Sequence, residues 1–240
     1  TFAIIPIAGK GVRFGSDLPK QFIEVYGKPL FIYTLEKFQN NCNVDYILIA
    51  CSKDNMPIVK DIINKYNLTK VYKLVQGGDT QLESIINCIK SVDIELSIED
   101  KIIVHVGNRP NLSDTLISRC IKKYDDIGPL STVVPCIEVM INTDNNAIIP
   151  RDKVVRIQTP QVYSFGDLKK VIYDENLSNM HASTLCDLLI SNNYKVSFID
   201  GELTNFKITY KEDLDIFKAI ISSRENKIEK GEKNEAKAVL

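Results

Sequence analysis

An α/β protein with a doubly wound, mostly parallel sheet is the architecture this 240-residue sequence predicts. Two patterns carry that reading. Short apolar, β-branched runs alternate with segments of helical periodicity, as in repeated βαβ units. A glycine-rich loop follows the first run directly, where open α/β sheets take their ligands.

The elements follow in order. Residues 2–7 (FAIIPI) read as a first strand, and residues 30–39 as a helix opening after the Gly-Lys-Pro turn at 27–29. Residues 44–51 read as a strand, and 55–66 as a helix with Pro57 in its first turn, where its missing donor is tolerated. A short strand at 71–75, a helix at 80–91 and a buried strand at 102–106 come next. A helix over 113–124 starts at a Ser-Asp cap, and a strand at 131–135 follows. Between 136 and 158 the pattern changes to two strands joined by a polar turn at Asp144-Asn145-Asn146, a hairpin projecting from the sheet. Helices at 164–173, 181–191 and 212–222 and a strand at 195–200 complete a single domain over 1–222. The tail, 223–240, is charged and poor in apolar residues, the composition of a frayed, flexible end.

Composition excludes several classes of function. Thirty basic residues face 31 acidic ones, so no net field draws the chain to nucleic acid or to an anionic membrane. No run approaches 18 apolar residues, and the N-terminus reads as a strand rather than a leader, so a cytoplasmic location is expected. Cys42, Cys51, Cys88, Cys120, Cys136 and Cys186 show no C-x-x-C spacing and read as buried free thiols. Zinc is not expected, because His105 and His181 lack ligand-type neighbours at suitable spacing. His105, at a strand end, reads as a structural hydrogen-bonder.

Ala8-Gly9-Lys10-Gly11-Val12-Arg13-Phe14-Gly15 is the strongest local signal. It lacks the Gly-Lys-Ser/Thr of a Walker loop, and its glycines are spaced G-x-G-x-x-x-G rather than as a dinucleotide fingerprint. What remains is a phosphate cradle in which Lys10, Arg13 and Lys20 lie close together. That density of positive charge suits a triphosphate attacked at its α-phosphorus, with pyrophosphate as the leaving group.

Six segments then occur in series: residues 3–22, GKPLFIYTLEKF (27–38), Gly77-Gly78 with Ser84 following, HVGNRP (105–110), QTPQVY (158–163) and GELTNFKIT (201–209). Together they resemble the cytidylyltransferases that act on 2-C-methyl-D-erythritol 4-phosphate or ribitol 5-phosphate, over residues 2 to about 220. The resemblance implies a Rossmann-like nucleotidyltransferase that binds CTP, transfers CMP to a polyol phosphate and works as a homodimer. It implies Arg13, Lys20 and Lys207 as catalytic groups and Ala8, Gly9, Lys10, Gly11, Gly77, Gly78 and Ser84 around the nucleotide. It assigns Arg109, Arg151 and Thr159 to the acceptor, with the hairpin arm at about 137–156 crossing to the partner and Arg151 serving the neighbouring subunit.

The resemblance also exposes departures. The family's metal-site aspartates fall on Val106 and Thr184, the arm's Asp-Thr pair on Glu138-Val139, and an expected arginine on Gln81. Mg²⁺ is expected with CTP, but no protein ligand is identified for it; Asp79 and Asp187 are candidates by neighbourhood only. Two alternatives therefore stand beside the enzyme: a nucleotide- or sugar-phosphate-binding homologue without turnover, and a transferase of altered base or acceptor. Within the enzymatic reading, residues 201–209 and 27–38 lean toward the ribitol-phosphate branch.

Overall fold

The computed structural model describes residues 1–9, 14, 19–174 and 182–238, with 225–238 described by their backbone alone. Lys10, Gly11, Arg13, Gly15 and His181, all singled out above, lie outside the described residues.

Strands β1 (Phe2–Pro6), β4 (Tyr46–Cys51), β5 (Val71–Gln76) and β6 (Lys101–Val104) form the parallel half of a seven-stranded sheet. The other half holds β7 (Leu130–Pro135), β10 (Val155–Ser164) and β11 (Ser197–Asp200), giving the order β11-β7-β10-β6-β1-β4-β5. Both faces are covered. Ala3 and Ile5 of β1 face helices α1 (Leu30–Asn40), α2 (Met56–Lys65) and α4 (Asp114–Ile127). Phe2 and Ile4 face α3 (Gln81–Lys90), α5 (Phe165–Ile172) and α6 (Leu185–Ser191). Burial on both sides explains why β1 and β4 read as nearly unbroken apolar runs.

β1 pairs with β4 on one side and β6 on the other, both parallel. The chain first winds outward through β4 and β5, then returns past β1 to β6. The carboxyl ends of β1 and β6 therefore flank the topological switch point, where such sheets open a crevice. Gly107 lets the chain after β6 pass close to β1, since a Cβ there would meet Ile7 Cγ2 at 2.4 Å.

Most elements fall where the sequence places them, within a few residues. Thr80 closes a capping box with Glu83 at the start of α3, and Ser113 caps α4 by accepting from Leu116 N. β10 is the main correction: the sequence pattern ends the hairpin's second strand by 158 and predicts no strand over 159–163, whereas β10 is continuous and runs antiparallel to both β6 and β7. Its centre, Gln158-Thr159-Pro160-Gln161, is polar and contains a proline that cannot donate to a ladder, features that argue against a central strand. A register shift between Ile157 and Gln161 accommodates the proline. Buried side-chain bonds satisfy the glutamine, with Gln161 Nε2 donating to Ser131 Oγ and Tyr163 OH to Gln161 Oε1, each at 3.1 Å.

Smaller differences have local causes. A two-residue hairpin joins β2 (Glu24–Val25) to β3 (Lys28–Pro29) through Tyr26 and Gly27, both at positive φ, as a primed turn requires. The 181–191 helix begins only at Leu185, because Thr184 caps it from an extended conformation. Helix α7 (Lys211–Ala238) runs past 222 into the charged tail, whose Ala, Glu and Lys residues are good helix formers without an apolar face. Cys42 is exposed, not buried, while the other five cysteines are buried. The hairpin pairs β8 (Met140–Asn142) with β9 (Ala147–Ile149), as the sequence indicated. No helix among the described residues is long and apolar enough to cross a membrane.

Candidate active site

Two cavities open at the switch point and meet. The first, about 630 Å³, lies over the carboxyl end of β1 and is lined by Ala8, Gly9, Lys20, Gly78, Ser84 and Lys207 among others. The second, about 470 Å³, lies toward β10 and α6 and includes Arg109, Thr159, Thr184 and Lys207. Gln81, Val106 and Lys207 line both. Sequence segments far apart in the chain thus converge on one junction, to which Lys207 contributes the shared cation.

The first cavity is built from backbone. Gln21 Nε2 donates to Ile7 O at 2.6 Å and to Gly9 O at 3.1 Å, clamping the chain as it leaves β1. Lys20 reaches across to Ile208 O at 3.0 Å, which brings its ammonium to the same rim as the 201–209 segment. Gly77 lies behind the wall, where a Cβ would sit 2.4 Å from Ala8 Cβ and 3.0 Å from Ser84 Oγ. Ser84 Oγ accepts from Gly78 N at 3.1 Å and donates to Thr80 O at 2.9 Å, so it shapes the turn that leads into α3.

The second cavity is organised around Arg109. Its guanidinium donates through Nη1 to Asn205 O at 2.6 Å, and no carboxylate of the described residues pairs with it. Burial, with Arg156 nearby, lowers its pKa to about 10, so it remains a cation at neutral pH. A half-buried arginine lacking a carboxylate partner, in a cavity edged by Lys207, suits a phosphate or phosphate ester. His105 behind it is fully buried, and desolvation pushes its pKa down to about 3. Its neutral ring accepts a hydrogen bond from Thr159 Oγ1 at Nδ1 (3.0 Å) and donates from Nε2 to Arg109 O (3.1 Å). The structural role read for His105 from sequence matches this geometry. Cys186 also lines the cavity, but burial raises its pKa to about 11 and keeps it a thiol.

Most of the described residues named from the sequence border one or other cavity. Ala8, Gly9, Lys20, Gly78, Ser84 and Lys207 border the first cavity, Arg109, Thr159 and Lys207 the second. Arg151 borders neither; it lies exposed at the base of the hairpin, donating to Ile137 O at 3.3 Å. Sequence reasoning missed Asn108, Gln158 and Asn205, whose amides hold the surrounding backbone. All three lie inside the motifs named above, but nothing in a sequence says which carbonyl an amide will reach.

Among the described residues the donor set is poor for a divalent ion: Asp79 lines the first cavity and Asp187 the second, and no third such group joins either. Val106, 5% exposed, puts an apolar side chain at the junction. The Thr184 hydroxyl is used in accepting from Asp187 N at 3.1 Å. The Asp187 carboxylate is bonded by Ser183 N at 2.8 Å, Ser183 Oγ at 3.3 Å and Ser191 Oγ at 3.4 Å. Among the described residues no three His, Cys, Asp or Glu side chains cluster to hold a metal.

Comparison with known proteins agrees with this geometry. The family model for IspD, 2-C-methyl-D-erythritol 4-phosphate cytidylyltransferase, matches residues 1–223. A ribitol-5-phosphate cytidylyltransferase of Vibrio parahaemolyticus is 32% identical over 231 residues, 93% of this chain and 97% of that protein. A 2-C-methyl-D-erythritol 4-phosphate cytidylyltransferase of Clostridium tetani is 35% identical over 221 residues, 88% of this chain and 86% of that one. The crystal structure of a 4-diphosphocytidyl-2C-methyl-D-erythritol synthase from Anaerococcus prevotii matches with a TM-score of 0.78 at 26% identity, over 92% of this chain and 97% of that chain.

Proposed function

The chain belongs to the 2-C-methyl-D-erythritol 4-phosphate cytidylyltransferase family, and from that premise we propose that it transfers CMP from CTP to a polyol phosphate, either 2-C-methyl-D-erythritol 4-phosphate or ribitol 5-phosphate. The observation that carries this reading is the pair of contiguous cavities sharing Lys207, one walled by the Gly9 and Gly77-Gly78 turns and the other holding Arg109. CTP occupies the first. The acceptor occupies the second with its phosphate on Arg109 and Thr159.

An acceptor phosphate oxygen attacks the α-phosphorus. As that P–O bond forms, the bond from the α-phosphorus to the α–β bridging oxygen breaks, and its electron pair leaves with pyrophosphate. A phosphate anion needs no general base, so the protein's work is placement and charge neutralisation. Lys207 stands where both substrates meet and Lys20 lies on the nucleotide side; Arg13, by resemblance, joins them. Magnesium accompanying CTP would be held by the triphosphate oxygens and would offset their charge, since the described side chains offer no ligand set of their own.

The hairpin arm carries the second part of the reading. Ile137, Val139, Ile141 and Ile148 are all more than half exposed on it, an apolar surface out of place on an isolated hairpin. It docks on a second copy of the chain and brings Arg151 to that copy's acceptor cavity.

Pyrophosphate release with CTP and Mg²⁺, supplied with each acceptor in parallel and with UTP as control, tests the reaction. Release with one acceptor, reduced at least ~100-fold in Lys20→Ala, is the expected result. CTP binding without release from either acceptor would instead identify a binding protein.

A further inference from the structure

Between β11 and α7, residues 201–209 form no helix or strand, yet they are held at every turn. Gln158 and Glu202 exchange bonds, with Gln158 Nε2 donating to Glu202 O at 3.1 Å and Glu202 N to Gln158 Oε1 at 3.3 Å. Asn111 Nδ2 donates to Thr204 O at 2.9 Å, Ile208 N to Asn108 O at 2.8 Å, and Asn108 Nδ2 to Ile208 O at 3.1 Å. This strap carries Lys207 into the junction of the cavities.

Asn205 closes a ring of hydrogen bonds beneath it. Its Nδ2 donates to Thr159 O at 2.7 Å. Thr159 Oγ1 donates to His105 Nδ1, His105 Nε2 donates to Arg109 O, and Arg109 Nη1 returns to Asn205 O. Two of the four members, Arg109 and Thr159, line the acceptor cavity, and Lys207 is two residues along from a third.

The side chain of Asn205 is fully buried, and its Oδ1 has no partner among the described residues. An unsatisfied buried acceptor is a cost that an apolar side chain of similar size would avoid. The amide is therefore held for its donor alone, and that donor joins the strap to β10.

Resting on the cytidylyltransferase reading, we propose that Asn205 is a positioning residue for the transfer: it sets Arg109 and Lys207 at fixed separation across the junction. It touches neither substrate. It acts on the acceptor and on the approach of the two substrates, and leaves nucleotide binding, which rests on the glycine turns and Lys20, nearly untouched.

Asn205→Ala and the isosteric Asn205→Asp, compared with the wild type, test this. Each replaces the donor to Thr159 O, and Asn205→Asp does so without opening a cavity. The expected result is a rise of about tenfold or more in acceptor KM and a fall of about 100-fold in kcat, the scale of a displacement near 1 Å. CTP affinity by calorimetry should stay within about twofold on the same reasoning. Folded variants with unchanged acceptor KM and kcat would overturn the proposal, as would activity lost only in proportion to the folded fraction. Variants that fail to fold would make Asn205 a structural residue and likewise overturn it. A wild type silent with both acceptors would overturn the enzymatic reading, and this role with it; an active wild type with unaltered variants would overturn this role alone.

Discussion

Individual side chains in this site are set by whether they can be solvated. His105 is the clearest case. Packed beside Phe38 and sealed from water, it is stable only as a neutral ring bridging Thr159 and Arg109. Its pKa is about 3 in the fold and near 6.5 unfolded, so the unfolded chain binds the extra proton between those values. Stability from His105 is thus complete above pH 6.5 and is lost as pH falls from 6.5 toward 3. Between pH 6.5 and 5 this one group should remove about 2 kcal/mol, at ~1.4 kcal/mol per pH unit. Urea midpoints should show it: the wild type loses stability over that interval, while His105→Gln, weaker at pH 8, gives a flatter profile. Arg109 behaves differently because its guanidinium, lowered only to about 10, stays charged throughout that range.

At the scale of elements, the turns between strands and helices do the shaping. The Gly77-Gly78 turn brings β5 to α3 against the end of β1, and the contact is so close that only hydrogen fits at Gly77. The opposing atom, Ala8 Cβ, sits on backbone that itself lines the first cavity, so it cannot swing aside as a long side chain would. Gly77→Ala should therefore displace the cavity wall. We expect CTP affinity to fall at least tenfold, with a stability loss of about 1–3 kcal/mol typical of overpacking; calorimetry and thermal melts measure the two separately. β10 shows the converse. A strand with proline and three polar residues at its centre is tolerated because buried hydroxyl and amide partners replace the missing ladder bonds.

For the molecule as a whole, the proposed docking of the arm bears on whether one chain is sufficient. Arg151 lies outside both cavities of its own chain, and Ile148, 68% exposed, points the same surface outward. If the arm serves a partner, Arg151→Ala and Lys20→Ala should each be nearly inactive alone but complement each other when mixed and allowed to exchange. The mixed dimer then contains one site with both residues intact, and pyrophosphate release reports it. Ile141→Lys with Ile148→Lys should shift the sedimenting species from dimer to monomer. Unchanged sedimentation would remove the arm from the interface.

Local information was enough for much of this protein. Apolar periodicity located most strands and helices, because parallel strands buried on two faces and one-sided helices have distinct spacings. Short ordered motifs marked Ala8, Gly9, Lys20, Arg109, Thr159 and Lys207, and these gather at one junction. Most of β10 was not legible, since its pairing depends on Ser131 and β7, which are remote from its central residues in sequence. Nor were Asn205 and Asn108, whose value lies in the carbonyls they reach. The replacement of carboxylates by Val106 and Thr184 was visible as residue identity; that the Thr184 hydroxyl is taken up in capping α6 was not. Sequence alone determined most of the elements and the chemistry available, because those depend on neighbours along the chain. Tertiary structure decided which groups are buried, bonded or brought together at Lys207, because those depend on neighbours in space.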